Sequence, residues 1–240
     1  MDVVIYPFTL MNHFTDSIET LKFSWESLLQ PFQVDPTVTQ QVFFDLITAY
    51  SSVGRFYHTL EHIQHILETI EQMRRHSSTQ ALVAINFPAI QLAAWFHDVI
   101  YDPRAKDNEE KSAEYAVASL SQFEIPRTTV ERVKTLILNT KTHQAQPDDI
   151  DSKILLDSDL AILGASELEY GAYAKAIRQE YSWVSDKLYQ VTRKQVLQFF
   201  LPRKRIYFTE YFFLTFEVRA RRNLQAEITN LSSQPEAEFT

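Results

Sequence analysis

Hydrophobic positions recur at helical spacing in segment after segment, and polar or proline-bearing turns separate the segments. The pattern predicts helices over about residues 15–30, 36–51, 57–75, 89–101, 107–123, 126–143, 154–163, 166–182, 186–201 and 206–231. Thr15 or Asp16 reads as the first N-cap and Pro31 as the end of that helix, while Pro36 opens the second. Asp107 with Glu110 three residues on reads as a capping box, and Gly164 as a C-cap. The segment 89–101 is apolar on nearly every side, with only Gln91 polar before His97, so it is expected to be a helix buried in the middle of the protein. Asp102-Pro103 is expected to end it. On a wheel of the 57–75 helix, His58, His62 and His65 lie at the border between an Ile/Leu face and a Glu/Gln face. Spaced four apart, His58 and His62 can then reach one site.

Composition narrows the class. The 240 residues are 45% hydrophobic and 13% aromatic, and only three are glycine, which favours a helical globular protein. The expectation is an all-α fold, one helical domain over 1–231 with about ten helices and a frayed tail over 232–240. Cysteine is absent, so any metal has to be held by His, Asp and Glu. A net charge of −8 argues against a stable nucleic-acid partner. No apolar run reaches membrane-span length and no signal peptide is evident, so a soluble cytoplasmic protein is the expectation.

The candidate chemistry lies where polar residues interrupt apolar helices. An isolated buried carboxylate costs several kcal/mol, roughly, unless a cation or donors compensate it. His97-Asp98 therefore asks for a partner. His62 and Asp157 or Asp159 offer further nitrogen and oxygen donors on other helices. Such a mixed site suits Mn, Fe, Co, Ni, Mg or Zn without choosing among them.

In this order the pieces resemble a family. The stretches Arg55-Phe-Tyr-His-Thr-Leu-Glu-His-Ile, Trp95-Phe-His-Asp-Val-Ile-Tyr-Asp, Asn108-Glu-Glu-Lys-Ser-Ala and Leu156-Asp-Ser-Asp-Leu-Ala-Ile-Leu-Gly resemble the HD-domain metal-dependent phosphohydrolases. So do Ile177-Arg-Gln-Glu-Tyr and Glu217-Val-Arg-Ala-Arg-Arg-Asn-Leu, and the likeness spans about residues 15 to 230. The resemblance implies an HD-type all-α domain, a divalent metal on His62, His97, Asp98 and Asp159, and a small phosphorylated substrate, plausibly a nucleotide. The Tyr57-His58…His62 segment is also similar to cyclic-nucleotide phosphodiesterases, which implies His58 as proton donor. Asp98 is expected to orient the attacking water or share a second ion, and Glu109 to act as an additional ligand or catalytic acid. Arg55, Tyr57, Lys141 and His143 are the candidate substrate-binding residues.

Plainer readings stand beside these. His97-Asp98 could be a satisfied core pair, and His143 could offset a helix dipole. Asp157 could cap or bridge helices, and Arg178, Glu180 and the terminal arginines read most simply as inter-helix salt bridges. His13 and His76 read as surface residues, and His65 as structural. The run His58-Thr59-Leu60-Glu61-His62 also matches the inverted zinc-peptidase motif, with Glu61 as base. A non-catalytic module binding a nucleotide or phosphate ligand is a third class. The aromatic C-terminal helix is core or an interface, including that of a homodimer.

Overall fold

The structure is a computed structural model that describes residues 8–76 and 85–233, with the side chains of 8–16 left undescribed. Among the described residues there are ten α-helices and no strand. They are α1 (Phe8–Leu29), α2 (Pro36–Tyr50), α3 (Leu60–His76), α4 (Phe87–Phe96) and α5 (Asn108–Leu120). Then follow α6 (Arg127–Thr140), α7 (Ile150–Asp159), α8 (Glu167–Glu180), α9 (Asp186–Phe200) and α10 (Glu210–Ser233).

The all-α expectation holds, and the centre of the molecule is the segment the pattern singled out. In α4, eight of ten residues are buried, including Ile90, Leu92, Trp95 and Phe96. It packs against α1, α3, α5, α6 and α7. Trp95 meets Trp25 of α1 edge-on at 5.5 Å, and its carbonyl accepts the Tyr50 hydroxyl of α2 at 2.9 Å. Burying each large apolar side chain contributes about 1.5–3 kcal/mol. Several of them on one helix outweigh the several kcal/mol, roughly, of desolvating polar groups at its end.

Local signals set some boundaries well. Asp35 N-caps α2 by accepting from Thr37 and Val38 N–H, and Ser166 with Glu169 forms a reciprocal capping box at α8. Other expected boundaries are corrected. α1 begins by Phe8, so Thr15 and Asp16 lie inside it, and Pro31 sits in the 3₁₀ turn Gln30–Phe32 that follows. α3 begins at Leu60, leaving Tyr57 and His58 on the preceding turn, because Glu180 claims the backbone N–H groups of Phe56, Tyr57 and His58 at 2.8–3.0 Å. α4 stops at Phe96, well before Asp102-Pro103, since Arg55 captures the carbonyls of Asp98 and Val99 and Ser112 bonds Ile100. Asp107 does N-cap α5, but without a side-chain bond; Glu110 pairs with Lys141 instead. The last helix starts at Glu210 rather than 206.

Gly164 is not a left-handed cap. It ends the 3₁₀ turn Leu160–Gly164, which Ala165 caps, and a Cβ there would lie 2.5 Å from Cβ and 2.7 Å from the carbonyl oxygen of Phe216. Glycine is needed because α10 crosses on bare backbone. Asn223 on α10 donates to the Leu163 and Ala165 carbonyls, and the Tyr207 hydroxyl to that of Leu160. Together these contacts hold the end of α7 against the last helix. The tail expected from 232 is helical to Ser233; the rest of it lies outside the described residues, as does the side chain of His13. No helix among the described residues is long and apolar enough to cross a membrane.

Candidate metal centre

Three elements deliver donors to one point. His62 is on the first turns of α3, His97 caps the buried α4, and Asp159 ends α7. His62 Nε2 lies 3.3 Å from His97 Nε2 and 3.2 Å from Asp159 Oδ1, and His97 Nε2 lies 3.7 Å from the same oxygen. Both imidazoles are buried. Donors about 2.1 Å from a common ion sit about 3.0–3.4 Å apart in tetrahedral or octahedral geometry. Two of the three spacings fall in that range and the third, 3.7 Å, lies just beyond it, so the His-His-Asp group could hold an ion with a small adjustment. Asp98 adjoins it, with Oδ2 3.0 Å from His97 Nε2 and 3.7 Å from His62 Nε2.

The ring orientations are fixed from behind. His97 Nδ1 lies 2.9 Å from the Ala94 carbonyl, which can only accept, so Nδ1 carries the proton and Nε2 offers its lone pair to the trio. His143 Nε2 bonds the second oxygen of Asp159 at 3.0 Å and orients that carboxylate. His143 itself is held in the left-handed region (φ 48°) on the turn after α6. The buried Nδ1 of His62 has no protein partner among the described residues, nor do the Tyr57 hydroxyl and His65 Nε2, and all three residues line a second cavity of about 420 Å³. A water there would satisfy the Nδ1–H that a ligating Nε2 requires.

The electrostatics follow from two acids close to two imidazoles. Burial raises Asp159, but hydrogen bonds from His143, His62 and His97 hold it well below the usual carboxylate range. Burial likewise works against Asp98, and His97 and His58 pull it down. His97 is raised well above an ordinary histidine by Asp98 and Asp159 despite its burial. His62 is lowered, because for it burial outweighs Asp159. The arrangement concentrates negative charge where a cation would replace the proton on His97.

His58 stands beside the trio with Nε2 3.9 Å from Asp98 Oδ2. Its Nδ1 donates to Glu180 Oε2 at 2.7 Å, and its ring stacks on Tyr101 at 4.1 Å. Glu180 also accepts the Tyr101 hydroxyl at 2.9 Å. Sequence reasoning missed this carboxylate and read it as an inter-helix ion pair. Its signal was Glu180 within a stretch otherwise explained by Arg178, which indeed links α8 to α9 through Asp186. Asp98 and Glu180 raise His58 against its burial.

The remaining candidates divide. Tyr57, Glu109, Lys141 and His143 line one cavity of about 960 Å³ with His58, His97, Asp98 and Asp159. Arg55 is spent elsewhere, donating to the His58, Asp98 and Val99 carbonyls at 2.7–3.0 Å. It ties together the turns that carry His58 and Asp98, and with Nε on Ser52 Oγ at 3.2 Å four of its five N–H groups are engaged. Lys141 pairs with Glu110 and donates to the Lys106 carbonyl. Asp157, two residues from Asp159 and so on the opposite face of α7, accepts from Phe208 N–H, Thr209 N–H and the Thr209 hydroxyl at 2.7–2.8 Å. It anchors the start of α10. No family model, curated protein or solved structure matches the chain.

Proposed function

We propose that this chain is an HD-type metal-dependent phosphohydrolase acting on a small phosphate ester. The observation that carries the reading is the convergence of His62 Nε2, His97 Nε2 and Asp159 Oδ1 from three helices at spacings of 3.2–3.7 Å, with His97 and Asp159 lining a large cavity and His62 a second one. A divalent ion there would be held by His62, His97 and Asp159, and would supply Lewis acidity that lowers the pKa of water to roughly 7. Asp98 lies where it can orient the attacking water. As the water oxygen bonds to phosphorus and the P–O ester bond breaks, the proton at His58 Nε2 passes to the departing alkoxide. That transfer contributes about 10²–10⁴ in rate. Glu180 holds the other ring nitrogen and keeps Nε2 facing the site.

The peptidase reading requires His58 and His62 to share one ion with Glu61 as base. Glu61 is exposed, the His58 Nδ1 is bound to Glu180, and that reading leaves His97 and Asp159 without a role. Elemental analysis of purified protein beside the His97→Ala/Asp98→Ala variant tests the proposal, followed by a screen of phosphate esters with the metal found. About one transition-metal ion per chain, lost in the variant, together with ester turnover is the expected result. No ion after reconstitution with Mn, Fe, Co, Ni, Mg or Zn would overturn it. An ion without turnover would leave a phosphate-binding module.

A further inference from the structure

The cavity that His97 and Asp159 line is far larger than a phosphate group needs, and its walls are of two kinds. One wall is the loop after α4 with the turn after α6, and the other is α8 and α9. On α9, Val196 and Phe199 line the cavity while 49% and 48% exposed. Arg203 stands 4.4 Å from the Phe199 ring centroid and Phe200 meets that ring edge-on. The half-exposed remainder of these apolar side chains, one turn apart on a cavity wall, offers a ligand surface to cover.

The charges on the same walls are already spoken for. Three lysines and arginines line the cavity: Lys106, Lys141 and Arg193. Arg193 is bound by Glu227 through two nitrogens at 2.8 and 3.2 Å, and Lys141 by Glu110. Only Lys106 lacks a carboxylate partner among the described residues. Asp98, Asp159 and Glu109 contribute negative charge to the same lining. One divalent ion and one lysine can balance a single phosphoryl group. Protonated His58 is paired with Glu180, and Arg203 beside the groove is held over the Phe199 and Phe200 rings at 4.4 and 4.8 Å and on the His143 carbonyl. The extra charges of a polyphosphate would find no unpaired cation in the lining beyond Lys106, and would meet carboxylates in a partly desolvated groove.

We propose that the groove takes phosphate esters with one phosphoryl group and a flat, largely apolar alcohol portion that lies on Val196 and Phe199, and that it rejects nucleoside polyphosphates. This rests on the phosphohydrolase reading and adds the selectivity of its site. Each ester hydrolysed yields its alcohol and inorganic phosphate.

The test uses the full chain with a divalent ion in excess. The kcat/KM for 2-phenylethyl phosphate is compared with that for ethyl phosphate, whose leaving alcohol is of similar reactivity but lacks the ring. AMP is compared with ATP. The expected result is a preference of about tenfold for the phenylethyl ester and for AMP, with the phenylethyl-to-ethyl ratio falling to about one in Phe199→Ser. Equal rates for the two alkyl esters, an unchanged ratio in Phe199→Ser, or preference for ATP would overturn this selectivity while leaving hydrolysis itself in place. Absence of turnover with any ester, metal being bound, would overturn both.

Discussion

Glu180 gathers three backbone N–H groups, the His58 ring and the Tyr101 hydroxyl on one buried carboxylate. Burial opposes its ionisation, yet the His58 ring and the backbone donors bring it down to about 2, so it stays charged at neutral pH. A carboxylate behind an imidazole fixes its tautomer and favours the protonated ring. In the proposed hydrolysis, Glu180→Gln keeps the shape but turns an amide toward His58. The expected outcome is a fall in kcat of about 10²-fold and an altered basic limb of the pH–rate profile, with metal content unchanged. Unaltered kcat would remove His58 from the role of proton donor. Arg55 makes a contrasting case. A cation beside a proposed phosphate site looks like a ligand in sequence, yet three of its five N–H groups go to the carbonyls that give the His58 and Asp98 turns their shape, and a fourth to Ser52 Oγ.

At the scale of the element, α7 illustrates how one short helix does two jobs. Asp149 caps it through Ser152 N–H at 3.0 Å and is bound by Arg132 of α6. Burial raises the Asp149 carboxyl, but Arg132 and Ser152 bring it down to about 2 from an ordinary 3.8. The folded pKa lies below the unfolded one, so the contribution, about 2 kcal/mol, is complete above pH ~4 and disappears as the pH falls toward ~2. Urea unfolding should therefore show Asp149→Asn less stable than wild type at pH 7 by about 1–2 kcal/mol, with the two converging near pH 2. A difference that persists at pH 2 would mean the loss comes from elsewhere than the charge. At its other end α7 turns Asp157 toward α10 and Asp159 toward the trio, a division that two residues of helix, about 200° of rotation, impose.

For the molecule as a whole, the trio joins helices far apart in sequence, so a bound ion is also a cross-link. An ion that binds only the folded chain stabilises it by about 2.7 kcal/mol at a hundred times its Kd. In a chain of this length that amounts to a rise in Tm of about 5–10 °C. A metal titration followed by thermal unfolding should show this rise and its reversal by a chelator, and the Asp159→Asn variant should lose it. A wild-type Tm indifferent to every divalent ion would count against the site. The helical class and the burial of α4 were legible in the sequence, because apolar periodicity and a breaker-free run report directly on which faces leave water. His62, His97 and one of Asp157 or Asp159 could be named as candidates for the same reason, since polar groups within apolar helices demand partners; the preference for Asp159 came from the family resemblance. Tertiary contacts alone decided where α3 begins and α4 ends: Glu180 and Arg55, remote in sequence, take the backbone groups that would have extended those helices. They alone also explain Gly164, which answers to Phe216 across the fold rather than to its own turn. Local sequence fixes periodicity and caps, whereas the competition for backbone hydrogen bonds and close approach is settled only when distant segments meet.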